Sequence, residues 1–213
     1  QICKALNISC PALEHYVHHR DDCLAKVQTL YKDEISTKQA YKASKTLFIR
    51  MMYGGRATED ESLLKDPKAK LPGCTTTLQR EIPAISAALQ GFNPTMAAAL
   101  KKRHHQLNKK NWAGSFLSYY LQEWERRVLE CMLELLIERK VVQAPVLDCV
   151  LCFDGVMVRR SKVHSEGWQV GGTKAVRDLL AACADAVADK LGLQLEFTEK
   201  PIKQTLKLPD TEA

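Results

Sequence analysis

The order of apolar and polar positions predicts an array of helices followed by a small sheet. Residues 11–31 carry a helical pattern opened by Pro11 and bent near Asp21-Asp22. Ser36-Thr-Lys-Gln39 has the form of a capping box, with Gln39 three residues after Ser36. It opens a helix over 37–52 that Gly54-Gly55 closes. Ala40, Ala43, Leu47 and Met51 make an apolar stripe there, while Lys38, Lys42 and Lys45 line another side that Ile49 and Tyr53 extend. Residues 56–77, rich in Asp, Lys, Pro, Gly and Thr, predict an exposed loop or short lid. The helical pattern resumes at Leu78 and runs to about Leu107, broken at Gly91-Phe-Asn-Pro94. The longest predicted helix covers 112–139. Its Leu117, Leu121, Trp124, Val128, Cys131/Met132, Leu135 and Leu136 recur at helical spacing and must be buried.

Within residues 146–160, two short apolar runs meet at Asp154-Gly155, the strongest short hairpin signal a sequence carries. Gly171-Gly172 then leads into a helix over 173–190 capped by Gly192, and Leu193-Gln-Leu-Glu-Phe197 alternates as a strand. A long helix, a hairpin, a helix and a strand in that order predict an α+β fold. Helices cover one face of its sheet, and a single acid stands at a hairpin tip.

Composition adds bounds rather than a function. A chain of 213 residues, 46% hydrophobic and 26% charged, suits one large globular domain or two small ones. No run approaches the roughly 20 apolar residues of a membrane span, and Gln1-Ile-Cys-Lys does not open a secretory signal. The chain starts at Gln in the middle of a pattern, which predicts a piece of a longer protein. A formal charge of +6 fits a polyanionic partner without requiring one. The eight cysteines have no disulfide-framework spacing and fall mostly in apolar segments, so they predict reduced thiols in an intracellular compartment.

Candidate chemistry lies at five places. Asp154 is held up by the hairpin, although Asp-Gly is also simply a good turn. Cys149-x-x-Cys152 has the spacing of a metal or redox pair, but strand residues three apart point to opposite faces. His15, His18 and His19 share a helical face with Cys23 one turn on; with no acidic support around them, a polar surface is the preferred reading. The three lysines of helix 37–52 have the disposition of a phosphate-facing surface or of a solvated one. Lys101-Lys-Arg-His-His105 with Lys109-Lys110 is the most basic cluster and is suited to a nucleic-acid backbone.

Taken together, the order of these motifs resembles the family A DNA polymerases and the related single-subunit RNA polymerases. In that family a fingers helix carries a Lys and, eight residues later, a Tyr followed by Gly; here these are Lys45, Tyr53 and Gly54. A later helix carries a Gln that touches primer–template, matched by Gln122, and a β-hairpin carries a metal-binding Asp, matched by Asp154. The likeness is closest to the divergent modules of helicase–polymerase fusions in mobile elements and large DNA viruses. There the tip reads Phe-Asp-Gly, as in Phe153-Asp154-Gly155, the long helix carries a Glu like Glu125, and a Lys-Pro follows the last strand, like Lys200-Pro201. The sequence departs from the pattern at Phe153, where a His is usual. It departs again at Tyr41, where an Arg is frequent, and at Ile49, where an aromatic is frequent. The first metal-binding Asp of the family belongs upstream of the fingers helix, and no acid of this sequence fits it.

The resemblance implies a fingers-like helical region over 1–111, a C-terminal palm over 112–203 and a tail over 204–213. It implies a template-directed nucleotidyltransferase that extends a primer on DNA with two Mg2+ ions about 3.5–4 Å apart between carboxylates. Asp154 would hold metal, with the other half of the site missing. Lys45, helped by Lys42, would neutralise the triphosphate and protonate the leaving pyrophosphate, and Tyr53 and Gly54 would adjoin the incoming nucleotide. Gln122, Glu125, Lys101, Lys102, Arg103, Lys109 and Lys110 would contact primer–template DNA. A fused or associated helicase or primase and a nuclear or viral replication site are the implied setting. Two rivals stand beside it. The haloacid-dehalogenase-like phosphatases also use Phe-Asp-x-Asp-Gly, but need a second Asp where Cys152 stands. The other is an α+β module that binds nucleic acid or protein without catalysis.

Overall fold

A computed structural model describes residues 1–56, 61–66, 68–143, 149–152, 155–158 and 174–199. The described chain is α+β: predominantly helical, with one antiparallel two-stranded sheet. It divides into two compact units, residues 2–124 and residues 125–213 with Gln1.

The first unit is built of helices α1 (Ile2–Ala5), α2 (Pro11–His18), α3 (Arg20–Gln28), α4 (Thr37–Met52), α5 (Gly73–Phe92), α6 (Pro94–Gln106) and the start of α7 (Trp112–Glu138). One 3-10 turn, Glu61–Leu63, lies between α4 and α5. The break between α2 and α3 falls at His19, two residues before the predicted bend. The His19 backbone leaves helical geometry at φ −120°, ψ 34°. The Ser36–Gln39 capping box forms as the sequence predicts. Ser36 Oγ accepts from the Gln39 N–H at 3.3 Å, and Gln39 Oε1 accepts from the Ser36 N–H at 3.3 Å. Helix α5 starts at Gly73 rather than Leu78, so only part of the expected loop is loop. The three threonines that argue against helix turn their hydroxyls back onto the first turn, donating to the carbonyls of Pro72, Gly73 and Cys74 at 2.6–3.2 Å. The break at Asn93 is as predicted, with Asn93 Oδ1 capping α6 through the Met96 N–H at 3.1 Å.

The core of this unit is continuous from Cys3 through Leu24, Leu47, Phe48, Leu78, Ile85 and Phe116 to Tyr120. Tyr16 stacks on Phe48 with ring centroids 4.4 Å apart, and Phe116, Tyr120 and Trp124 follow one another along α7. Helix α2 carries no side-chain cap of its own. Glu81 of α5 supplies one, accepting from the N–H groups of Ala12 at 2.9 Å and Leu13 at 2.8 Å.

In the second unit, α7 ends in a left-handed residue, Lys140 (φ 59°), with the Val141 N–H returning to the Leu136 carbonyl at 2.9 Å. The strands β1 (Cys149–Cys152) and β2 (Gly155–Val158) pair antiparallel, Cys149 opposite Val158 and Cys152 opposite Gly155. Phe153 and Asp154 lie outside the described residues. Helix α8 (Lys174–Leu191) buries Val176, Cys183 and Val187. It runs antiparallel to the end of α7: Lys190 Nζ meets Glu134 at 2.6 Å, while Arg139 lies near Cys183. Gly192 caps it at φ 68°. Residues 193–197 alternate in burial as expected, Leu193 in and Gln194 and Glu196 out, but they join no ladder among the described residues. The predicted strand therefore forms no ladder among the described residues, because a strand needs a second segment to pair with.

Candidate functional site

Helix α4 separates its two faces sharply. Ala40, Ser44, Leu47, Phe48 and Met51 are buried. Ser44 is tolerated among them because its hydroxyl donates to the Ala40 carbonyl at 2.9 Å. On the opposite side Lys38, Lys42 and Lys45 are exposed. Tyr41, Ile49 and Tyr53 stay about 40% exposed beside them. Tyr41, Lys45, Ile49 and Tyr53 follow at four-residue steps, so apolar and cationic groups share one outward line. The Arg20 guanidinium from α3 sits beside the hydroxyls of Tyr16 and Tyr41, whose oxygens hold its pKa above the ordinary arginine value. Burial raises the Tyr16 phenol, and the nearby Arg20 works in the opposite direction.

The end of α4 is fixed by glycine. Gly54 adopts φ 71°, and the Gly55 N–H returns to the Arg50 carbonyl at 2.8 Å. Tyr53, the residue before this turn, offers its carbonyl to Asn111 Nδ2 at 3.3 Å. Asn111 Oδ1 in turn caps the first turn of α7 by accepting from the Gly114 N–H at 3.0 Å. A side chain at Gly114 would overlap the Tyr53 carbonyl oxygen, so the approach of the two helices depends on glycine there.

Around this junction opens a cavity of about 360 Å³. Tyr53 lines it from α4, His104 from α6 and Lys109 from the connecting loop; Asn111, Gly114, Ser115 and Ser118 line it around the start of α7. His104 Nδ1 is buried with no hydrogen-bond partner among the described residues. Ser118 Oγ accepts from Gln122 Nε2 at 3.3 Å, which ties Gln122 to the cavity wall. Helix α6 ends through a left-handed Asn108 (φ 50°), and Lys101 Nζ lies 5.8 Å above the Trp112 ring.

Of the residues singled out by sequence, Tyr53, Gly54, Lys109 and Gln122 therefore gather at one junction. Lys42 and Lys45 stand on the outer face of α4, and Lys101, Lys102, Arg103 and Lys110 are exposed on α6 and the loop after it. Glu125, exposed on α7, belongs to the second unit. Asp154 lies outside the described residues. Among those residues no three His, Cys, Asp or Glu side chains come together to hold a metal. For the histidines the reason is visible. His15 and His19 pack ring to ring at 4.7 Å, while Cys23 turns inward, fully buried, beside Cys74. The cysteines at 3, 10, 23, 74, 131 and 183 carry free thiols. No helix of the described residues is long and apolar enough to cross a membrane.

Sequence reasoning counted His104 only within the basic cluster and passed over Asn111, Gly114, Ser115 and Ser118. A signal was present in the charges. Residues 35–58 contain no Asp or Glu and five cations: Lys38, Lys42, Lys45, Arg50 and Arg56. Residues 82–122 likewise contain no acid and five cations: Lys101, Lys102, Arg103, Lys109 and Lys110. The Asn111 bridge joins these two acid-free segments.

No protein-family model matches the chain, and no solved structure matches it. It is 27% identical over 209 residues to a protein of the Sputnik virophage provisionally named helicase V13. That alignment covers 97% of this chain and 24% of the virophage protein, so the chain spans about a quarter of that relative's length. The chain is thus similar to a virophage protein.

Proposed function

We propose that this chain is the fingers and C-terminal palm portion of a template-directed nucleotidyltransferase of the family A type, handling primer–template DNA and a nucleoside triphosphate. The observation that carries the reading is the joining of two acid-free, cation-bearing segments at the end of α4. In this reading Lys42 and Lys45 neutralise triphosphate oxygens, and Lys45 gives a proton to the departing pyrophosphate. Tyr53 presents its ring to the reacting base pair. Lys101, Lys102, Arg103, Lys109, Lys110, Gln122 and Glu125 contact the primer–template. The similarity to a helicase-named virophage protein agrees with a role on nucleic acid and with a fused or associated helicase or primase.

Magnesium would be held by Asp154 with further acids, and it would stabilise charge on the transferring phosphoryl group. Among the described residues no three His, Cys, Asp or Glu side chains come together to hold it.

Primer extension by the longest available protein tests the proposal. Asp154→Ala should abolish synthesis, and Lys45→Ala should lower kcat by about 10²–10⁴-fold, the usual range for a general acid. Undiminished extension by Asp154→Ala would sink it. The 213-residue chain alone is expected to bind primer–template without extending it. A second reading, a nucleic-acid-binding module without catalysis, draws on the same acid-free segments. It is preferred if DNA binding is salt-sensitive while the longest protein makes no product.

A further inference from the structure

The unspent hydrogen-bonding groups of the cavity at the Tyr53–Asn111 junction point to the chemistry of its occupant. The amide of Asn111 is fully engaged, its NH2 group on the Tyr53 carbonyl and its oxygen on the Gly114 N–H. Ser118 Oγ already accepts from Gln122, which leaves its proton to donate. What remains toward the cavity is the Lys109 ammonium, the hydroxyls of Ser115 and Ser118, and the imidazole of His104, whose Nδ1 is without a partner among the described residues. No carboxylate of the described residues lines the cavity, and none occurs in the sequence from residue 82 to 122. The start of α7 adds the positive end of a 27-residue helix. A site whose unspent groups are cations and donors suits an oxyanion. At about 360 Å³, with the half-exposed Tyr53 in its lining, the space holds more than the anion alone and has an aromatic residue at hand for stacking.

We propose that this cavity seats one nucleotide of a single strand, its phosphate on Lys109, Ser115 and Ser118 and its base against Tyr53. The inference rests on the reading that this unit handles nucleic acid, and it commits the cavity to a strand rather than to a free mononucleotide. Exposed Lys101, Lys102, Arg103 and Lys110 on the neighbouring turns continue the cationic surface beyond one phosphate.

The test is fluorescence anisotropy of the full chain with a labelled oligothymidylate single strand and with a blunt DNA duplex, over a series of salt concentrations. Variants are Lys109→Ala and Ser115→Asp, the latter placing a carboxylate where the anion would sit; far-UV circular dichroism checks that both are folded. Ser115→Asp is expected to weaken single-strand binding about tenfold or more while changing duplex binding less than about twofold. Lys109→Ala should reduce the single-strand salt slope by about 0.7, the share of one phosphate. Should the folded Ser115→Asp chain bind the single strand as the unsubstituted chain does, the cavity is not the seat, although primer extension by the longest protein would still uphold the proposed function. Loss of all salt-sensitive binding to both probes in the unsubstituted chain would fail the proposed function and this inference together. Thymidine monophosphate or inorganic phosphate displacing the strand at matched concentration would overturn the strand assignment in favour of a free ligand.

Discussion

Removing the carboxylate of Glu81 isolates a single long-range interaction. Helix α2 has only eight residues, begins at a proline that has no N–H, and has Cys10 at its N-cap without a side-chain capping bond. Its first-turn donors at Ala12 and Leu13 both go to Glu81, across 69 and 68 residues of sequence. Hydrogen bonds to a charged group contribute roughly 1.5–3 kcal/mol each, and a lost cap costs about 0.5–2 kcal/mol. The site is only part-buried, so water recovers part of this, and Glu81→Ala should cost about 2–3 kcal/mol. Glu81→Gln should cost nearly as much, about 1.5–2 kcal/mol, because its NH2 group faces one of the two backbone donors. With about 3–5 °C of Tm per kcal/mol for a unit near this size, Glu81→Ala should melt roughly 6–15 °C lower. Urea unfolding followed by fluorescence reports this unit through Trp112 and Trp124. A loss below about 0.5 kcal/mol in both variants would show that Glu81 does not hold α2 in place.

Three further outcomes follow from single contacts. Gly114→Ala drives a methyl into the Tyr53 carbonyl and should cost about 1–3 kcal/mol; Gly91→Ala meets nothing within 4 Å and should be neutral or slightly stabilising. Equal melting of these two variants would contradict the close junction. Burial first, and then the neighbouring Cys3, pushes the Cys10 thiol up to about 11; burial and Cys74 do the same to Cys23. A raised native pKa leaves stability whole below the unfolded thiol pKa and removes it as pH rises through the native value. The chain should therefore lose stability between about pH 9 and 11, on the order of 2–3 kcal/mol per thiol. The joint variant Cys10→Ala, Cys23→Ala should flatten that decline, and an unchanged slope would refute the assignment. Ser36→Ala breaks the capping box and should cost about 1 kcal/mol by urea titration.

Local rules made much of the fold readable, and distant contacts made the site unreadable. Ser36 and Gln39 satisfy each other within one turn, and Gly54 and Gly192 end their helices by their own φ, so those boundaries were visible in the chain. The hairpin was visible from its two short apolar runs, although Gly155, expected at the junction with Asp154, is the first residue of β2 and pairs with Cys152. Thr75, Thr76 and Thr77 misled because threonine's intrinsic preference is weak beside three hydroxyl-to-carbonyl bonds and full burial of Thr75. Residues 193–197 alternate correctly, but a strand is a relation between two segments and periodicity specifies only one of them. The cavity needs Tyr53 and Asn111, 58 residues apart, to meet across a glycine, and no spacing rule anticipates that.

The charge arrangement shows how the site's two parts act together. Residues 35–58 and 82–122 carry ten cations and no acid, whereas the whole chain has a net charge of +6, so the remaining residues are net negative by four. Scattered charges of both signs would largely cancel beyond a Debye length of about 8 Å at physiological salt. Segregated along the chain, the exposed Lys38, Lys42, Lys45, Lys101, Lys102, Arg103, Lys109 and Lys110 give these two segments of the first unit a surface of one sign. A polyanion is then attracted to that surface before any specific contact forms, and the salt slope counts the cations it engages, about 0.9 per duplex phosphate neutralised. Replacing Lys102 and Lys110 together by Glu should flatten the duplex slope by about two. Charge reversal at Lys174, on α8 and outside both segments, should leave the slope where it was. Equal effects from the two changes would mean that net charge rather than its placement governs binding.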